Sequence, residues 1–372
     1  MNSFLIGPAV SAAITMVLAL LITIIDKLVN NYGVVTIDIN NGKKKLEVKG
    51  GSPLLLTLAG QGIFVPSACG GRGSCGACKV KVISDVGPHL PTELPYLSPD
   101  EVKQNVRLSC QIKVKKNIDI ELPEVLFNVK KYKARVVSMR NVTYDIKEVL
   151  FELGNDVIQF AAGQYVQLVV PPYDKVKESV QRAYSMSSIP SDTRHVELLI
   201  RLVPGGIATT WVHTKLAVGM TVELIGPFGE FHVHDTPKTM ICVAGGSGMA
   251  PFKSMLYDIA ERNLYPDKEI WYFFGARTKK DMFYLDEMDA LQKKLSRFHF
   301  VPALSEPQPD DKWQGETGII TDVLDRYIKE HIGKDNGLEG YLCGSPGMIN
   351  ACIKVMTAHG IRENEIYFDK FA

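Results

Sequence analysis

Residues 67–80 read SACGGRGSCGACKV, and residues 107–112 read RLSCQI. Together they hold Cys69, Cys75, Cys78 and Cys110, separated by five, two and thirty-one residues. A structural zinc site takes two CxxC pairs or a Cys/His mixture, and here there is one CxxC and no histidine pair beside it. Crowding into a single glycine-rich loop, in a chain of otherwise cytosolic character, argues against disulfides. The order is close to the plant-type [2Fe–2S] spacing of four, two and a distant fourth cysteine, with one additional residue in the first gap. Glycines at 70, 71, 73 and 76 let the backbone wrap closely and aim N–H groups at sulfide. Cys69, Cys75, Cys78 and Cys110 are therefore expected to be metal ligands.

The segments around this loop suggest a small sheet clasping one helix over residues 33–128. VVTIDIN and KKLEVK alternate apolar and polar residues about Asn41-Gly42, a hairpin signal. LLLTLAGQG reads as a short helix ending at glycine, and KVKVIS and IDIELP as further strands. Residues 130–235 change character: short β-patterned runs (KARVVSM, EVLFEL, YVQLVV, HVELLIRLV, TVELIGP) separated by Gly and Pro imply an antiparallel barrel. Over residues 236–372, apolar strands alternate with helical stretches near 251–262, 281–295, 319–332 and 347–359, the pattern of a doubly wound parallel sheet.

The chain has 372 residues and a net charge of +1, which excludes a nucleic-acid footprint or an acidic tail. Residues 4–25, FLIGPAVSAAITMVLALLITII, carry no charge. Their 22 residues match the roughly 20 that a membrane-crossing helix needs. No Lys or Arg precedes the run and no A-x-A follows it, so a single-pass anchor over 1–30 is preferred to a cleaved signal peptide. Lys27 and Lys43–Lys45 follow, placing the C-terminal bulk in the cytoplasm of an inner membrane. Cys242 and Cys352 read as buried thiols of a reducing compartment.

Within the barrel region, Arg182-Ala183-Tyr184-Ser185 is the segment that bears chemistry. Arg182 can pair with a pyrophosphate, Tyr184 can lie against a flavin ring and Ser185 can hydrogen-bond its edge. Gly205-Gly206-Ile207-Ala208-Thr209 opens a short helix whose first N–H groups can hold the same phosphates. Gly245-Gly246-Ser247-Gly248 follows a strand and precedes a helix, where a dinucleotide phosphate approaches the backbone. It is not GxGxxG. Arg277 ends the next strand, within reach of an adenosine half. Cys343 ends a later one, at the carboxyl edge where ligands of open α/β sheets bind, and is expected beside the nicotinamide. Phe371 closes the tail as a candidate cover for the flavin face opposite Tyr184. The His232-x-His234 pair is expected at the barrel rim rather than on a metal.

The succession SACGGRGSCGACKV, LPTELPYLS, LSCQI, GPFGEF, GGSGMAP, GARTKKDMFY and LSEPQP, behind an apolar N-terminus, resembles the family of F subunits of sodium-translocating NADH:quinone oxidoreductases nearly end to end. The resemblance implies a multidomain chain. After the transmembrane helix come an α+β ferredoxin-like (β-grasp) domain, an antiparallel β-barrel FAD domain and an α/β Rossmann-like NADH domain. It implies FAD rather than FMN, NADH rather than NADPH, and a [2Fe–2S] cluster on the four cysteines. Flavin contacts fall on Arg182, Tyr184, Ser185, Gly205, Gly206, Thr209 and Phe371. The nicotinamide side falls on Gly246, Gly248, Arg277 and Cys343, with Cys343 and Ser185 as the catalytic pair. The implied activity passes hydride from NADH to FAD and then single electrons to the cluster. From there they reach other subunits of a membrane complex, with quinone as the indirect acceptor. Two departures are visible: a short connection between PPYDKVKES and VQRAYSMSS, and a tail ending Asp-Lys-Phe-Ala that is similar to those of soluble oxygenase reductases. An NADH-dependent reductase of an oxygenase, and a tethered iron–sulfur carrier without working flavin, stand as alternatives.

Overall fold

The computed structural model describes residues 3–29, 31–67, 69–333 and 337–370, without side chains for 3–9 and 26–29. The chain forms two compact units, Met1–Asn128 and Val129–Ala372.

The first unit begins with helix α1 (Ser3–Val29). Its described side chains, residues 10–25, are all solvent-exposed. Among the described residues no helix is long and apolar enough to cross a membrane. A five-stranded sheet follows, built from β1 (Val34–Ile39), β2 (Lys44–Lys49), β3 (Lys79–Val82), β4 (Val106–Leu108) and β5 (Ile118–Glu121), in the order β2-β1-β5-β3-β4. The β1–β2 hairpin turns through Asn40, Asn41 and Gly42, all with positive φ, and Asp38 accepts the Gly42 N–H at 2.5 Å. Ile37, Ile39, Val80, Val82 and Ile120 of the sheet are buried, as are Leu54 and Leu58 of helix α2 (Leu54–Gly60). A one-turn helix, α3 (Pro99–Lys103), is started by a capping box between Ser98 and Glu101.

The second unit holds two sheets. Strands β6 (Lys130–Asn141), β7 (Ile146–Glu152), β8 (Tyr165–Val170), β9 (Val180–Ser185), β10 (His195–Arg201) and β11 (Thr221–Phe228) pair antiparallel in the order β10-β7-β6-β11-β8-β9. A bridge from Met186 to Leu198 brings the two edge strands together, so the sheet curls around a core of Val149, Phe151, Val166, Leu168 and Leu198. Helix α4 (Ile207–Thr214) plugs one side with Trp211 and Val212.

Next come β12 (Thr239–Gly245), α5 (Met249–Arg262), β13 (Ile270–Ala276), α6 (Leu285–Lys294), β14 (Phe298–Leu304), β15 (Glu316–Thr317), α7 (Ile320–Glu330), β16 (Leu338–Gly344), α8 (Pro346–Ala358) and β17 (Ile366–Lys370). These strands are parallel in the order β15-β14-β13-β12-β16-β17, and separate apolar clusters cover the two faces. The continuous apolar runs of β12 and β16 follow from burial on both sides. The expected helices are present. The one near 281–295 starts later, at Leu285, because Thr278 and Asp281 first close a tight turn.

Polar contacts lock the barrel to the parallel sheet. Lys253 of α5 pairs with Glu197 of β10 at 2.6 Å, Ser254 donates to the Ser188 carbonyl at 2.7 Å, and Tyr284 donates to Glu148. Burial and the adjacent carboxylates push the Tyr284 hydroxyl strongly up, so it remains a donor.

Candidate redox site

The cysteine loop runs from the end of α2 to β3, and Cys110 returns to it in a single 3-10 turn (Ser109–Gln111). The β3–β4 pairing brings that turn back, and Ser109 is bonded by both its N–H and its hydroxyl to the Cys78 carbonyl. The four sulfurs lie as two pairs: Cys69 with Cys75 at 3.4 Å, and Cys78 with Cys110 in side-chain contact. Burial pushes the Cys69 thiol up, but N–H groups of Ser74 and Arg72 and the Cys75 contact outweigh it and bring it down to about 6. The Cys78 contact brings Cys110 to about 6 as well, opposed by burial and helped by Gln111, while Cys78 itself is pushed up. Among the described residues no three His, Cys, Asp or Glu side chains converge on a single ion. Two pairs of cysteine sulfurs suit a binuclear iron centre, with two ligands per iron, better than one mononuclear ion. The cradle is tight as well. A Cβ at Gly76 would lie 2.7 Å from Tyr96 Cβ, and one at Gly73 would lie 2.6 Å from Gln111 Nε2.

In the second unit, β9 carries Arg182, Tyr184 and Ser185. Tyr184 packs against the barrel core, and burial raises its hydroxyl far above the usual range, so it is a neutral ring. Arg182 donates to the Gln181 carbonyl at 2.7 Å. Helix α4 has Gly206 as its N-cap; a Cβ there would lie 2.6 Å from Thr209 Oγ1, and Thr209 in turn accepts the Val203 N–H at 3.1 Å. Gly205 precedes it with φ of 72°. Neither α4 nor the Gly246–Gly248 turn that leads into α5 has a side-chain cap, so each opens with backbone N–H groups of the kind that bind phosphate.

The loop Gly246–Gly248 lies at the carboxyl end of β12, against the end of β16. A Cβ at Gly248 would stand 2.3 Å from the Cys343 carbonyl oxygen. Cys343 is fully buried, paired in register with Ala244 and Asp369, and burial holds its thiol protonated. Ser185 Oγ donates to Asp369 Oδ2 at 2.9 Å, joining the barrel to the last strand beside Cys343. Burial raises the Asp369 carboxyl, and the Ser185 bond only partly offsets this. Asp369 is the residue that sequence reasoning passed over. Its signal was the tail Tyr367-Phe368-Asp369, read only for its aromatic end. Ser185, Cys343, Gly248 and Asp369 come together, whereas Arg277 stands exposed and forked onto Glu306 at 2.9 and 3.3 Å. Phe371 lies outside the described residues. The rings of His232 and His234 lie 4.9 Å apart, tilted by 53°, in the segment that links β11 to β12, with Nε2 of His234 buried and unbonded.

Family profiles match at three places: a 2Fe-2S iron-sulfur cluster binding domain over residues 37–115, an oxidoreductase FAD-binding domain over 133–233 and an oxidoreductase NAD-binding domain over 242–354. Among solved structures, the chain is similar to the Amycolatopsis cytochrome P450 reductase GcoB. The TM-score is 0.72 and the identity 28%, over 91% of this chain and 98% of that one. It is also similar to the ferredoxin reductase in carbazole 1,9a-dioxygenase, with TM-score 0.68 and 26% identity over 91% and 99%. The F subunit of the Na(+)-translocating NADH-quinone reductase of Mannheimia succiniciproducens is 38% identical over 100% of this chain and 99% of its own length. That of Neisseria meningitidis serogroup B is 36% identical over 99% of each. With end-to-end identity at this level, the chain belongs to the family of F subunits of the Na(+)-translocating NADH-quinone reductase.

Proposed function

We propose that this chain is the NADH-oxidising, electron-input subunit of a membrane NADH:quinone oxidoreductase of the sodium-translocating type. FAD and a [2Fe–2S] cluster, when bound, supply the conversion of a two-electron hydride into single electrons. The observation that carries the reading is the seam where Ser185 of the barrel bonds Asp369 of the parallel sheet beside Cys343 and Gly248. One point thus serves both a flavin lobe and a nucleotide lobe.

In this reading the first unit holds the iron–sulfur domain (33–128), and the second unit the flavin (130–235) and nucleotide (236–372) domains. Arg182 and the turn that opens α4, with Gly205, Gly206 and Thr209, hold the flavin phosphates, while Tyr184 presents a neutral ring to the isoalloxazine. Gly246 and Gly248 admit the nicotinamide dinucleotide to the start of α5. Cys343 and Ser185 line the hydride path, and Asp369 holds Ser185 in orientation. Phe371 covers the opposite flavin face. Arg277 is paired with Glu306, which offsets the charge it would offer to a 2′-phosphate and is in keeping with NADH. Cys69, Cys75, Cys78 and Cys110 hold the cluster.

Helix α1 serves as a single-pass anchor in the inner membrane, the redox domains lying in the cytoplasm. Its support is an uncharged run over residues 4–25 and an apolar surface, Ile14 to Ile25, exposed on every side of the helix. The partners are the other subunits of the complex, with quinone reduced downstream. The structural neighbours favour a second reading, the reductase of an oxygenase or P450.

Anaerobic NADH addition to the detergent-solubilised, cofactor-loaded chain tests the redox reading. Flavin bleaching followed by a [2Fe–2S] electron paramagnetic resonance (EPR) signal is expected, and Cys69→Ala should lose the second while keeping the first. Absence of flavin bleaching would overturn it. Co-purification from native membranes with several polytopic subunits is expected; recovery with a soluble oxygenase would move the chain to the second reading.

A further inference from the structure

The loop over residues 87–98, GPHLPTELPYLS, is held more firmly than its composition suggests. Arg107 forks onto Glu93 at 2.7–3.1 Å, and both side chains are buried, at 3% and 0% exposure. Glu93 also accepts the N–H groups of Leu90 and Leu108 at 2.8 and 2.9 Å, and Arg107 donates to the Gly87 carbonyl at 3.0 Å. The loop is thus fixed to β4, the strand that leads into Cys110.

Two neighbours of Glu93 reach the cysteine loop from this anchor. Tyr96 fills the space where Gly76 lacks a side chain. Thr92 Oγ1 donates to Gln111 Oε1 at 3.1 Å, and Gln111 Nε2 donates to Cys110 Sγ at 3.6 Å. The absent Cβ of Gly73 makes room for that amide. A carboxamide has distinct ends, and the hydroxyl donated to its oxygen turns its NH₂ toward the sulfur.

We propose that Gln111 is a positioning residue that sets the potential of the iron–sulfur centre, oriented by Thr92 and, through it, by the Glu93–Arg107 anchor. The inference rests on the reading of the four cysteines as cluster ligands. One-electron reduction by the flavin adds one negative charge and no proton to a centre held here. An N–H donor on a ligand sulfur stabilises the reduced form more than the oxidised one and so raises the potential. Gln111 is not itself a ligand and touches no substrate.

The test is an EPR-monitored redox titration of the full chain in detergent, with both cofactors loaded. Wild type is compared with Gln111→Leu and the exposed-site variant Thr92→Val. Gln111→Leu is expected to lower the cluster midpoint by about tenfold in the reduced-to-oxidised ratio at a fixed poise, about 59 mV for one electron. Thr92→Val should shift it the same way by less, and the flavin midpoint should not move in either. If Gln111→Leu keeps the wild-type midpoint with its cluster signal intact, the proposal falls and the ligand reading stands. If Gln111→Leu fails to retain a cluster, Thr92→Val decides: an unshifted midpoint overturns the proposal. If wild type shows no [2Fe–2S] signal, the ligand reading itself falls and takes the proposal with it.

Discussion

Replacing Gly248 with alanine changes one thing only, because its φ of −63° suits any residue. The added Cβ would stand 2.3 Å from the carbonyl oxygen and 2.8 Å from the carbonyl carbon of Cys343. Relief to 3.0 Å requires at least 0.7 Å of movement (3.0 − 2.3). Strand β16 cannot supply it, since it is paired on one side with β12 and on the other with β17. The loop must therefore retreat and carry the start of α5 with it. Overpacking of this kind costs about 1–3 kcal/mol. For a unit of this size each kcal/mol lowers Tm by about 2–4 °C, so a drop of about 2–12 °C is expected. Misplacement approaching 1 Å at a cofactor-binding loop should lower kcat/KM for NADH by on the order of 10- to 100-fold. The readouts are thermal unfolding followed by flavin release, and steady-state NADH oxidation with a one-electron acceptor. Gly154→Ala is the control: nothing lies within 4 Å of its Cβ, and its cost comes only from a φ of +62°. A Gly248→Ala protein with unchanged Tm and unchanged kcat/KM would refute the steric argument.

Other expectations follow from the charged groups. Asp369 has its carboxyl raised by burial, so its neutral form favours the fold. That contribution is complete below the unfolded carboxyl range and is lost as pH rises through the folded value. Asp369→Asn should therefore gain stability over wild type as pH rises, converging with it below about pH 4, in urea titrations at several pH values. A constant difference across pH would contradict this. Burial opposes, but the Arg107 fork and two N–H donors outweigh it and lower the Glu93 carboxyl, so its contribution holds above the carboxyl range and fades as pH falls through the folded value. Glu93→Ala leaves Arg107 buried without its partner and should cost about 3–5 kcal/mol in urea unfolding of the first unit; a loss under about 1 kcal/mol would mean the pair is not closed in solution. Glu306→Arg should raise the NADPH-to-NADH ratio of kcat/KM by on the order of tenfold, the worth of one charged hydrogen bond. An unchanged ratio would place the 2′-position elsewhere.

The sequence by itself was sufficient for everything carried by local spacing. The four cysteines and the hairpin at Asn41-Gly42 are local signatures, and the alternating strands of β6 to β11 and the strand–helix alternation of β12 to β17 are written in periods of two and 3.6 residues. The glycine turns before α4 and α5 were legible for the same reason, since only close backbone approach calls for glycine there. What lay beyond it were the contacts between residues far apart in the chain. Ser185 and Asp369 are 184 positions apart, and nothing in either neighbourhood announces the bond that joins the barrel to the last strand. Nothing in the sequence around Gln111 announces its contact with the Cys110 sulfur, which depends on the loop carrying Thr92 being fixed by the buried Glu93–Arg107 pair. Arg277 was legible as a cation, but not as one already paired with Glu306 from the loop after β14. Local pattern determines which elements form, because burial of one face has a period. Which side chains meet, and hence which are desolvated, oriented or neutralised, is decided only when the sheets close on one another.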